Sequence, residues 1–406
     1  MIIEKHRMAS KPLTITFVDF TKAYDCIDRA VLGKVLHEFG LDNNTREVYL
    51  QTLSDTSSKV KFRGTLSESF GINTGVRQGD GISPLMFNCA LEKVIREWSK
   101  QAPAGVGMGR DLRINALAFA DDIAILSESI EDARLQLEIL SSEAAKIGLK
   151  ISLEKTQFMT SEKNPPKFLL NDSAVGLVEN FKYLGESISI RNKEDFSLES
   201  RTKKLSAHLV RNRHIYNKRS ISRAAKIRHY LAVGRPEATY AAETMHLHGN
   251  VKRLERMEIV ERRILRKILG PNRNTDGEYR LKPKKELYQD ITPIVLAIKK
   301  QRMAFFGHVV RMSQNRLAKK IETYWSNRKT APRWLAETKK DLNFNGITAE
   351  NIQDRALFRA KTENMKCLEK VRKPTGRCWS DARKLAFGRT MKNYWAEKKR
   401  KPTRKD

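Results

Sequence analysis

The sequence predicts an α+β fold, in which a ferredoxin-like, split βαβ antiparallel sheet is followed by a mostly helical, basic region. Three observations predict it. Over residues 13–160, apolar β-branched runs and helical patterns follow the order strand, helix, strand, strand, helix, strand, with one insertion. Two of the apolar runs meet at an acidic pair, Asp121-Asp122. The charge of the chain changes sharply near residue 190.

The first predicted strand, residues 13–19, is β-branched and apolar, and it ends on Asp19. Asp28 is predicted to cap a helix that runs to Phe39, and Gly40 supplies its C-terminal stop. The insertion follows as a predicted two-stranded ribbon. Its strands are residues 57–63 and 66–72.

A glycine-rich loop, residues 75–81, precedes an apolar helix that we expect to end near Lys100. Ser83 is predicted as the N-cap of this helix, with Pro84 in its first turn. Residues 112–118 and 123–126 are two apolar, β-competent runs on either side of the acidic pair, so they predict a tight hairpin with the carboxylates at its tip.

A helix at 131–147, stopped by Gly148, and a strand at 155–160 complete the order. That order places the end of the first strand beside the hairpin, so Asp19 is expected to face Asp121 and Asp122. Three converging carboxylates suit two divalent ions about 3.5 to 4 Å apart, the arrangement of in-line phosphoryl transfer. The alternative interpretation of the acidic pair is a polar turn on the surface.

The net charge of +31 comes wholly from the second half of the chain, because the first half is slightly negative. Residues 1–190 carry 23 Lys and Arg against 25 Asp and Glu, which leaves 55 against 22 for residues 191–406. So large an excess indicates a polyanionic partner, most simply nucleic acid. The four cysteines form no CxxC pair, so they indicate neither a zinc site nor a disulfide framework. With no membrane span or signal peptide visible, we expect an intracellular protein of the nucleus or cytoplasm.

The basic half is predicted to be mainly helical. The predicted helices are residues 197–217, 220–232, 251–269, 292–312, 332–343 and 349–370, with a linker at 271–285. The tail, residues 376–406, fits a solvated helix, an aromatic and basic contact to single-stranded nucleic acid, or a nuclear import patch.

These residues resemble reverse transcriptases of non-LTR (LINE-type) retrotransposons. The resemblance rests on Phe17-Val-Asp-Phe-Thr-Lys-Ala-Tyr-Asp25, Gly75-Val-Arg-Gln-Gly-Asp-Gly-Ile-Ser-Pro-Leu85, Phe119-Ala-Asp-Asp122, Gly148-Leu-Lys-Ile-Ser-Leu-Glu-Lys-Thr156 and Phe181-Lys-Tyr-Leu-Gly185, in the family's order. Two later segments, residues 306–312 and 333–342, are similar to the C-terminal regions of such elements. The resemblance implies a palm at 1–190, a helical thumb at 191–270 and a nucleic-acid-contacting region at 271–406.

The resemblance also implies roles for single residues. Asp19, Asp121 and Asp122 are the catalytic, metal-binding acids for two Mg²⁺ ions, with Mn²⁺ as an alternative and the Phe20 carbonyl as a further ligand. The implied nucleotide and template contacts are Tyr24 as a steric gate, Gln78 and Gly79 beside the nascent base pair, and Lys155 as a proton donor to pyrophosphate. A side chain at 79 is expected to clash with backbone or template. For Tyr24 a core aromatic is the alternative, and for Lys155 a plain surface lysine.

The expected activity is RNA-directed DNA synthesis on an RNA template with a DNA primer and dNTPs. The fingers motifs and the endonuclease that the family places upstream are missing here, so an N-terminally truncated copy or a fragment of a longer polyprotein is expected. A catalytically inactive remnant that only binds nucleic acid is the alternative function. An intron-type maturase is a third interpretation, disfavoured by the LINE-type segments at 306–342.

Overall fold

The computed structural model describes residues 1–109, 112–191, 196–245, 247, 251–273 and 278–366. Met1–Met365 form one compact unit. The predicted tail at 376–406, Cys367 and Cys378, and the end of the helix expected at 349–370 lie outside the described residues. No described helix is both long and apolar enough to span a bilayer.

The helices are α1 Ile2–Met8, α2 Ala23–Cys26, α3 Arg29–Glu38, α4 Asn43–Leu53, α5 Ser83–Gln101, α6 Ile130–Ala145, α7 Phe196–Arg211, α8 Arg213–Asn217, α9 Arg223–His229, α10 Arg235–Thr239, α11 Val251–Leu269, α12 Lys284–Leu287, α13 Ile294–Val310, α14 Leu317–Ser326, α15 Arg333–Phe344, α16 Ala349–Gln353 and α17 Arg355–Glu363. A π-helical turn covers Tyr230–Gly234, and a 3₁₀ turn covers Ala242–Thr244.

The strands are β1 Thr14–Val18, β2 Ser57–Ser58, β3 Lys61–Phe62, β4 Thr65–Leu66, β5 Phe70–Gly71, β6 Val106–Gly107, β7 Arg113–Ile114, β8 Ala116–Phe119, β9 Asp122–Ser127, β10 Gln157–Thr160, β11 Leu169–Leu170, β12 Ser173–Ala174, β13 Gly176–Leu177, β14 Phe181–Tyr183, β15 Glu186–Ile188, β16 Asn272–Arg273 and β17 Tyr279–Arg280.

The main sheet has the strand order β13-β10-β1-β9-β8. Strand β1 is antiparallel to both β10 and β9, and β9 is antiparallel to β8. The four long strands, taken in chain order as one to four, are therefore arranged 4-1-3-2. This is the split βαβ layout that the order of the sequence elements predicts. The short strand β13 adds a parallel edge beside β10.

Both faces of the sheet are covered. On one face Val18, Phe20 and Ile123 join the core formed with α3, α5 and α6, where Phe87 is fully buried. On the other face Ile15, Phe17, Ala124 and Leu126 pack with apolar residues of the C-terminal helices, among them Met303, Phe306 and Trp334. A strand buried on both faces needs a continuous apolar run rather than an alternating one, which accounts for the composition of β1.

Two predicted helix ends are confirmed and one is wrong. The Asp28 carboxylate accepts hydrogen bonds from the backbone N–H groups of Ala30 and Val31 at 2.8 and 2.9 Å, as an N-cap should. Gly40 has a φ of +85°, which suits a C-terminal stop. Ser83 is not the N-cap of α5, because it is already the first helical residue and Ile82 occupies the cap without a side-chain hydrogen bond.

The basic helices are interrupted at more positions than the sequence predicts. The helix expected at 197–217 is divided at Asn212 into α7 and α8, and the one expected at 220–232 gives way to the π-helical turn. The predicted linker at 271–285 contains the β16–β17 ladder and the start of α12. Helix α14, Leu317–Ser326, was not predicted, since no side chain caps its start.

A buried carboxylate ties these basic helices together. The side chain of Glu261 on α11 is fully buried. It accepts four hydrogen bonds, from the hydroxyls of Tyr230 and Tyr288, the guanidinium of Arg235 and the backbone N–H of Ile294, at 2.6 to 2.8 Å. Burial, followed by the Glu261 charge, raises the pKa of both tyrosines, so both hydroxyls stay protonated donors. One carboxylate thereby joins α11 to the π-helical turn and to the start of α13.

Replacing Glu261 with Ala should destabilise the protein strongly, because the charge of Arg235 would lose its carboxylate partner. We expect a loss of about 3 to 5 kcal/mol in the free energy of unfolding, measured by urea denaturation. The exposed Glu131→Ala is the matched control and should change the value by less than about 0.5 kcal/mol. Equal effects of the two substitutions would contradict the role given to Glu261.

Candidate active site

Two of the acids lie at the tip of the β8–β9 hairpin. Phe119 pairs with Asp122, so Ala120 and Asp121 form the two-residue loop. Ala120 has a φ of +50°, a left-handed conformation that non-glycine residues rarely adopt. Such local strain is typical of functional sites, where the surrounding structure holds it in place. Here the left-handed residue turns the chain sharply and presents both carboxylates at one end of the sheet.

The third acid, Asp19, directly follows β1. The β1–β9 register pairs Val18 with Ile123, so the next position on each strand brings Asp19 alongside Asp122. The electrostatics agree with this placement. Burial raises the pKa of Asp122, and the charges of Asp121 and Asp19 raise it further, in that order. The structure thus brings together the three acids that the sequence analysis selected.

The surroundings of Asp19 leave one carboxylate oxygen available. Its backbone N–H donates to the Thr156 hydroxyl at 3.3 Å, and its carbonyl accepts from the Ser152 N–H at 2.8 Å. Oxygen Oδ2 is buried and accepts no hydrogen bond among the described residues. The Lys155 ammonium lies 3.4 Å from it, an ion pair without hydrogen-bond geometry. A buried anionic oxygen without a donor is a suitable ligand for a hard cation.

The three carboxylates are oxygen donors of the type that Mg²⁺ prefers. Their mutual repulsion is the cost that a bound cation would remove. In the described part of the chain, however, no three His, Cys, Asp or Glu side chains lie close enough to hold one ion jointly. The donor set therefore fits a divalent cation, but a shared ion requires these side chains to approach one another.

Tyr24 lies between the apolar core and the acids. Its ring stacks on Phe87 with centroids 4.5 Å apart and an angle of 9° between the planes. Burial raises the pKa of its hydroxyl, and the charge of Asp121 raises it further. The residue therefore packs as a core aromatic on one side and lies within the electrostatic reach of the acids. Phe20, by contrast, is buried in the core, and its backbone pairs with Ile151 in a single bridge.

The glycine-rich loop is fixed against the Tyr24 segment. The backbone N–H of Val76 donates to the Tyr24 carbonyl at 2.8 Å, and the Gln78 side chain donates to Asp25 at 3.3 Å. Gly79 has a φ of +90°, which accounts for glycine there. The expected backbone clash at Gly79 is wrong, since a Cβ atom there would meet nothing within 4 Å; the template half of that expectation stays a prediction.

The close approach occurs instead at Gly75. This residue has a φ of +78°, and a Cβ atom on it would lie 2.5 Å from the Tyr24 carbonyl oxygen. Gly75 belongs to the loop motif, but this contact was not predicted from the sequence. Its place as the first glycine of that loop was the only available signal.

A second missed residue is Tyr183, at the end of β14. Its hydroxyl lies 3.1 Å from the Leu117 carbonyl oxygen and 3.3 Å from that of Asp122, and it can donate to either. Burial and then the Asp122 charge raise the pKa of Tyr183 to about 12. Phe181, two residues earlier, stacks on Phe17 of β1 at 3.9 Å between centroids. The β14–β15 hairpin therefore supports the backbone of the acid-bearing hairpin.

The same small hairpin is joined to the basic helices by Arg201 of α7. This buried guanidinium pairs with Glu186 of β15 and donates to the Ser197 hydroxyl at 2.9 Å. It also donates to the carbonyls of Ala238, at 3.0 Å, and Tyr240. Because Glu186, Ala238 and Tyr240 lie 15, 37 and 39 residues from Arg201 in sequence, no local pattern indicated these contacts. Arg201 connects the active-site hairpin, through β14 and β15, to the first basic helix.

The region that carries the acids matches a known family. Residues 3–188 match the family described as "Reverse transcriptase (RNA-dependent DNA polymerase)". These residues are similar to reverse transcriptases of non-LTR retrotransposons. All three acids, the glycine-rich loop and Tyr183 fall inside the matched range.

The curated relatives include retrotransposon polyproteins. One is the "Retrovirus-related Pol polyprotein from type-1 retrotransposable element R2" of Popillia japonica, 25% identical over 198 residues, which are 46% of this chain and 32% of that protein. Another is the "Retrovirus-related Pol polyprotein from type-2 retrotransposable element R2DM" of Drosophila melanogaster, 28% identical over 153 residues, 38% of this chain and 14% of that protein. The matched region thus spans less than a third of either relative.

Among solved structures, apo telomerase from Candida tropicalis aligns over 91% of this chain and 55% of its own, at 13% identity and a TM-score of 0.41. At that TM-score the likeness is loose. It adds nothing to the strand order and the motifs described above.

The raised pKa of Asp122 predicts a pH dependence of stability. Between the ordinary Asp pKa, about 3.9, and the higher folded value, the folded state binds more protons than the unfolded state. Stability contributed by this group therefore falls as the pH rises through that window. Asp122→Asn should remove this fall, as measured by urea denaturation at several pH values in the absence of divalent ions. The exposed Asp290→Asn should keep it, and identical pH profiles for the two variants would disprove the proximity of the acids.

The contact of Gly75 with Tyr24 predicts a local sensitivity to side-chain size. Gly75→Ala should lower the free energy of unfolding by at least about 1 to 2 kcal/mol, from the left-handed backbone alone, with the clash adding to it. Gly81→Ala is the matched control within the same loop, since a Cβ atom there meets nothing within 4 Å. Thermal unfolding of both variants tests the difference, and equal melting temperatures would rule it out.

Proposed function

We propose that this chain catalyses RNA-directed DNA synthesis, extending the 3′-hydroxyl of a DNA primer on an RNA template with dNTPs. The observation that carries the proposal is the placement of Asp19 alongside Asp122, on adjacent strands of a reverse transcriptase domain. In-line phosphoryl transfer depends mainly on positioning and charge neutralisation. One end of the sheet carries all three acids, which suits both needs.

Asp19, Asp121 and Asp122 would hold two Mg²⁺ ions, with Mn²⁺ as a substitute. When bound, the ions supply activation of the primer hydroxyl and neutralisation of the developing charge on the phosphates. Asp19 offers its buried Oδ2, and the backbone of Asp19 is held by Thr156 and Ser152. The Phe20 carbonyl remains our proposed additional ligand.

The remaining roles concern the nucleotide. We assign Tyr24, close to Asp121 and braced by Phe87, to the sugar of the incoming nucleotide. Gln78 and Gly79 are assigned to the nascent base pair, on a loop that is anchored to the Tyr24 segment. Lys155 is assigned to the leaving pyrophosphate. The ion pair of its ammonium with Asp19, at 3.4 Å, supports this assignment, because a proton donor then lies beside one of the acids.

The basic helices are assigned to the nucleic acid. In this proposal residues 1–190 are the palm, 191–270 the thumb and 271–406 a further region that contacts nucleic acid. The Glu186–Arg201 pair joins the region that carries the acids to the first basic helix. Since the relatives are Pol polyproteins, we propose that this chain works together with fingers and endonuclease segments of a longer polyprotein, inside the cell.

Primer extension on an RNA template tests the catalytic proposal. Asp121→Asn should lower the rate of dNTP incorporation by about 100-fold or more, because it removes charge from the site where charge stabilisation dominates. Asp290→Asn, an exposed acid elsewhere, should leave the rate unchanged. Incorporation that is insensitive to Asp121→Asn would exclude these acids from the mechanism.

The alternative of a catalytically inactive nucleic-acid binder is not favoured by the family match, but its charge basis is testable. Binding of RNA should survive Asp19→Ala, because the excess of 55 Lys and Arg over 22 Asp and Glu lies in residues 191–406. The affinity should fall steeply with salt, since each neutralised phosphate releases nearly one counterion. Binding measured by fluorescence anisotropy that barely responds to salt would contradict this assignment.

A further inference from the structure

The insertion between α4 and the glycine-rich loop is a ribbon with an exposed apolar surface. Strands β2 and β5 pair at its base, and β3 and β4 pair at its tip. Four of its apolar side chains are at least half exposed: Val60 at 58%, Phe62 at 67%, Leu66 at 58% and Phe70 at 50%. Contiguous exposure of this kind is typical of interaction sites.

Two of these side chains, Phe62 and Phe70, are aromatic. The register pairs Phe62 with Thr65 in the tip ladder and Ser58 with Phe70 in the base ladder. The ribbon thus presents two phenylalanine rings to solvent, one in each ladder.

Cations are interleaved with these apolar residues. The ribbon carries Lys59, Lys61 and Arg63 against one acid, Glu68. The Arg63 guanidinium lies 5.2 Å from the centroid of the Phe62 ring, within the range of a cation–π contact. Arg63 therefore lies beside one of the exposed rings, and Lys59 and Lys61 alternate with Val60 and Phe62 along the chain.

The tip that places Arg63 is strained. Arg63 and Gly64 have φ values of +46° and +89°, so both central residues of the turn are left-handed. Asn, Asp or Gly usually occupies the first of these positions. A left-handed arginine costs conformational free energy in a turn. Its presence there, over an aromatic ring, therefore indicates a function for its charge.

The ribbon is fixed at its base next to the proposed active site. The Arg29 guanidinium donates to the carbonyls of Ile72, Thr74 and Gly75 at 2.9, 3.0 and 2.9 Å. Gly75 is in turn packed against Tyr24, which lies in the field of Asp121. Contiguous contacts therefore lead from the acids to the base of the ribbon.

We propose that the ribbon, residues 57–71, is a stacking platform for a single-stranded RNA segment, the unpaired template ahead of the proposed active site. Phe62 and Phe70 would stack on bases, and Lys59, Lys61 and Arg63 would contact phosphates. Aromatic rings with interleaved cations bind single strands without sequence preference, because every base has a π-face. The inference rests on the proposed function for the identity of the strand, and on the ribbon itself for the mode of binding.

The test compares two ligands of the full chain without dNTPs: a blunt RNA–DNA duplex, and the same duplex with a single-stranded 5′ extension of its RNA strand. Fluorescence anisotropy gives the gain in affinity from the extension. In Phe62→Ala/Phe70→Ala this gain should fall by about fivefold or more, the equivalent of about one lost base stack. Binding of the blunt duplex should not change. Phe344→Ala, which removes a ring that is 49% exposed on α15, is the control and should keep the whole gain.

A second variant tests the charges. Replacing Lys59, Lys61 and Arg63 with Gln should reduce the salt-dependence slope for the extended ligand by about 2, the value for three phosphates of a single strand. An unchanged gain in the phenylalanine variant would overturn the proposal. The proposal would also be overturned if the phenylalanine variant kept the gain in affinity but changed its oligomeric state, measured by light scattering. The ribbon would then be a protein interface.

The outcome separates this inference from the proposed function. If the gain in affinity depends on Phe62 and Phe70 but the chain does not extend a primer, the ribbon proposal stands and the polymerase proposal fails. If the chain extends a primer but the phenylalanine variant keeps the whole gain, the polymerase proposal stands and the ribbon proposal fails.

Discussion

The antiparallel pairing of β1 with β9 is the constraint on which the site depends. A register that matches Val18 with Ile123 brings Asp19 beside Asp122, although about a hundred residues separate them in sequence. A slip of one residue would turn every side chain of β1 to the opposite face. Both faces of β1 are buried in closely packed apolar cores, so a slip would require both cores to repack. The packing of the cores therefore stabilises an arrangement of like charges that electrostatics alone would oppose.

The acids are also held from outside the sheet. Tyr183 supports the backbone of the acid-bearing hairpin, and Phe181 stacks on Phe17 of β1. The same β14–β15 hairpin is bound through Glu186 to the buried Arg201. A displacement of the first basic helix would therefore also shift the acids, because a short series of direct contacts connects them. If that helix contacts nucleic acid, as proposed, nucleic-acid binding is physically coupled to the geometry of the acids.

Local sequence signals were sufficient where the structure depends on neighbouring residues. The Asp28 cap and the Gly40 stop followed from helix-end chemistry, and the order of the strands followed from apolar runs and turns. The same reasoning failed at Ser83, because burial in the core, rather than capping, decides the environment of that side chain. It also failed at Gly79, whose glycine is explained by a left-handed backbone rather than by crowding from this chain. The break at Asn212 and the π-helical turn lie in a separate apolar core of the basic helices, which contains Tyr216 and Tyr230 and which periodicity does not report.

The sequence by itself determined the identity of the acids, the split βαβ order and the basic character of the second half, because these depend on residue type and on spacing along the chain. Only the tertiary structure decided which oxygen of Asp19 is left without a hydrogen-bond donor, that Gly75 packs against Tyr24, and that Arg201 and Glu261 each bind partners from several segments. These features depend on distances between segments far apart in sequence. Such distances are fixed when the cores pack, and no local pattern records them.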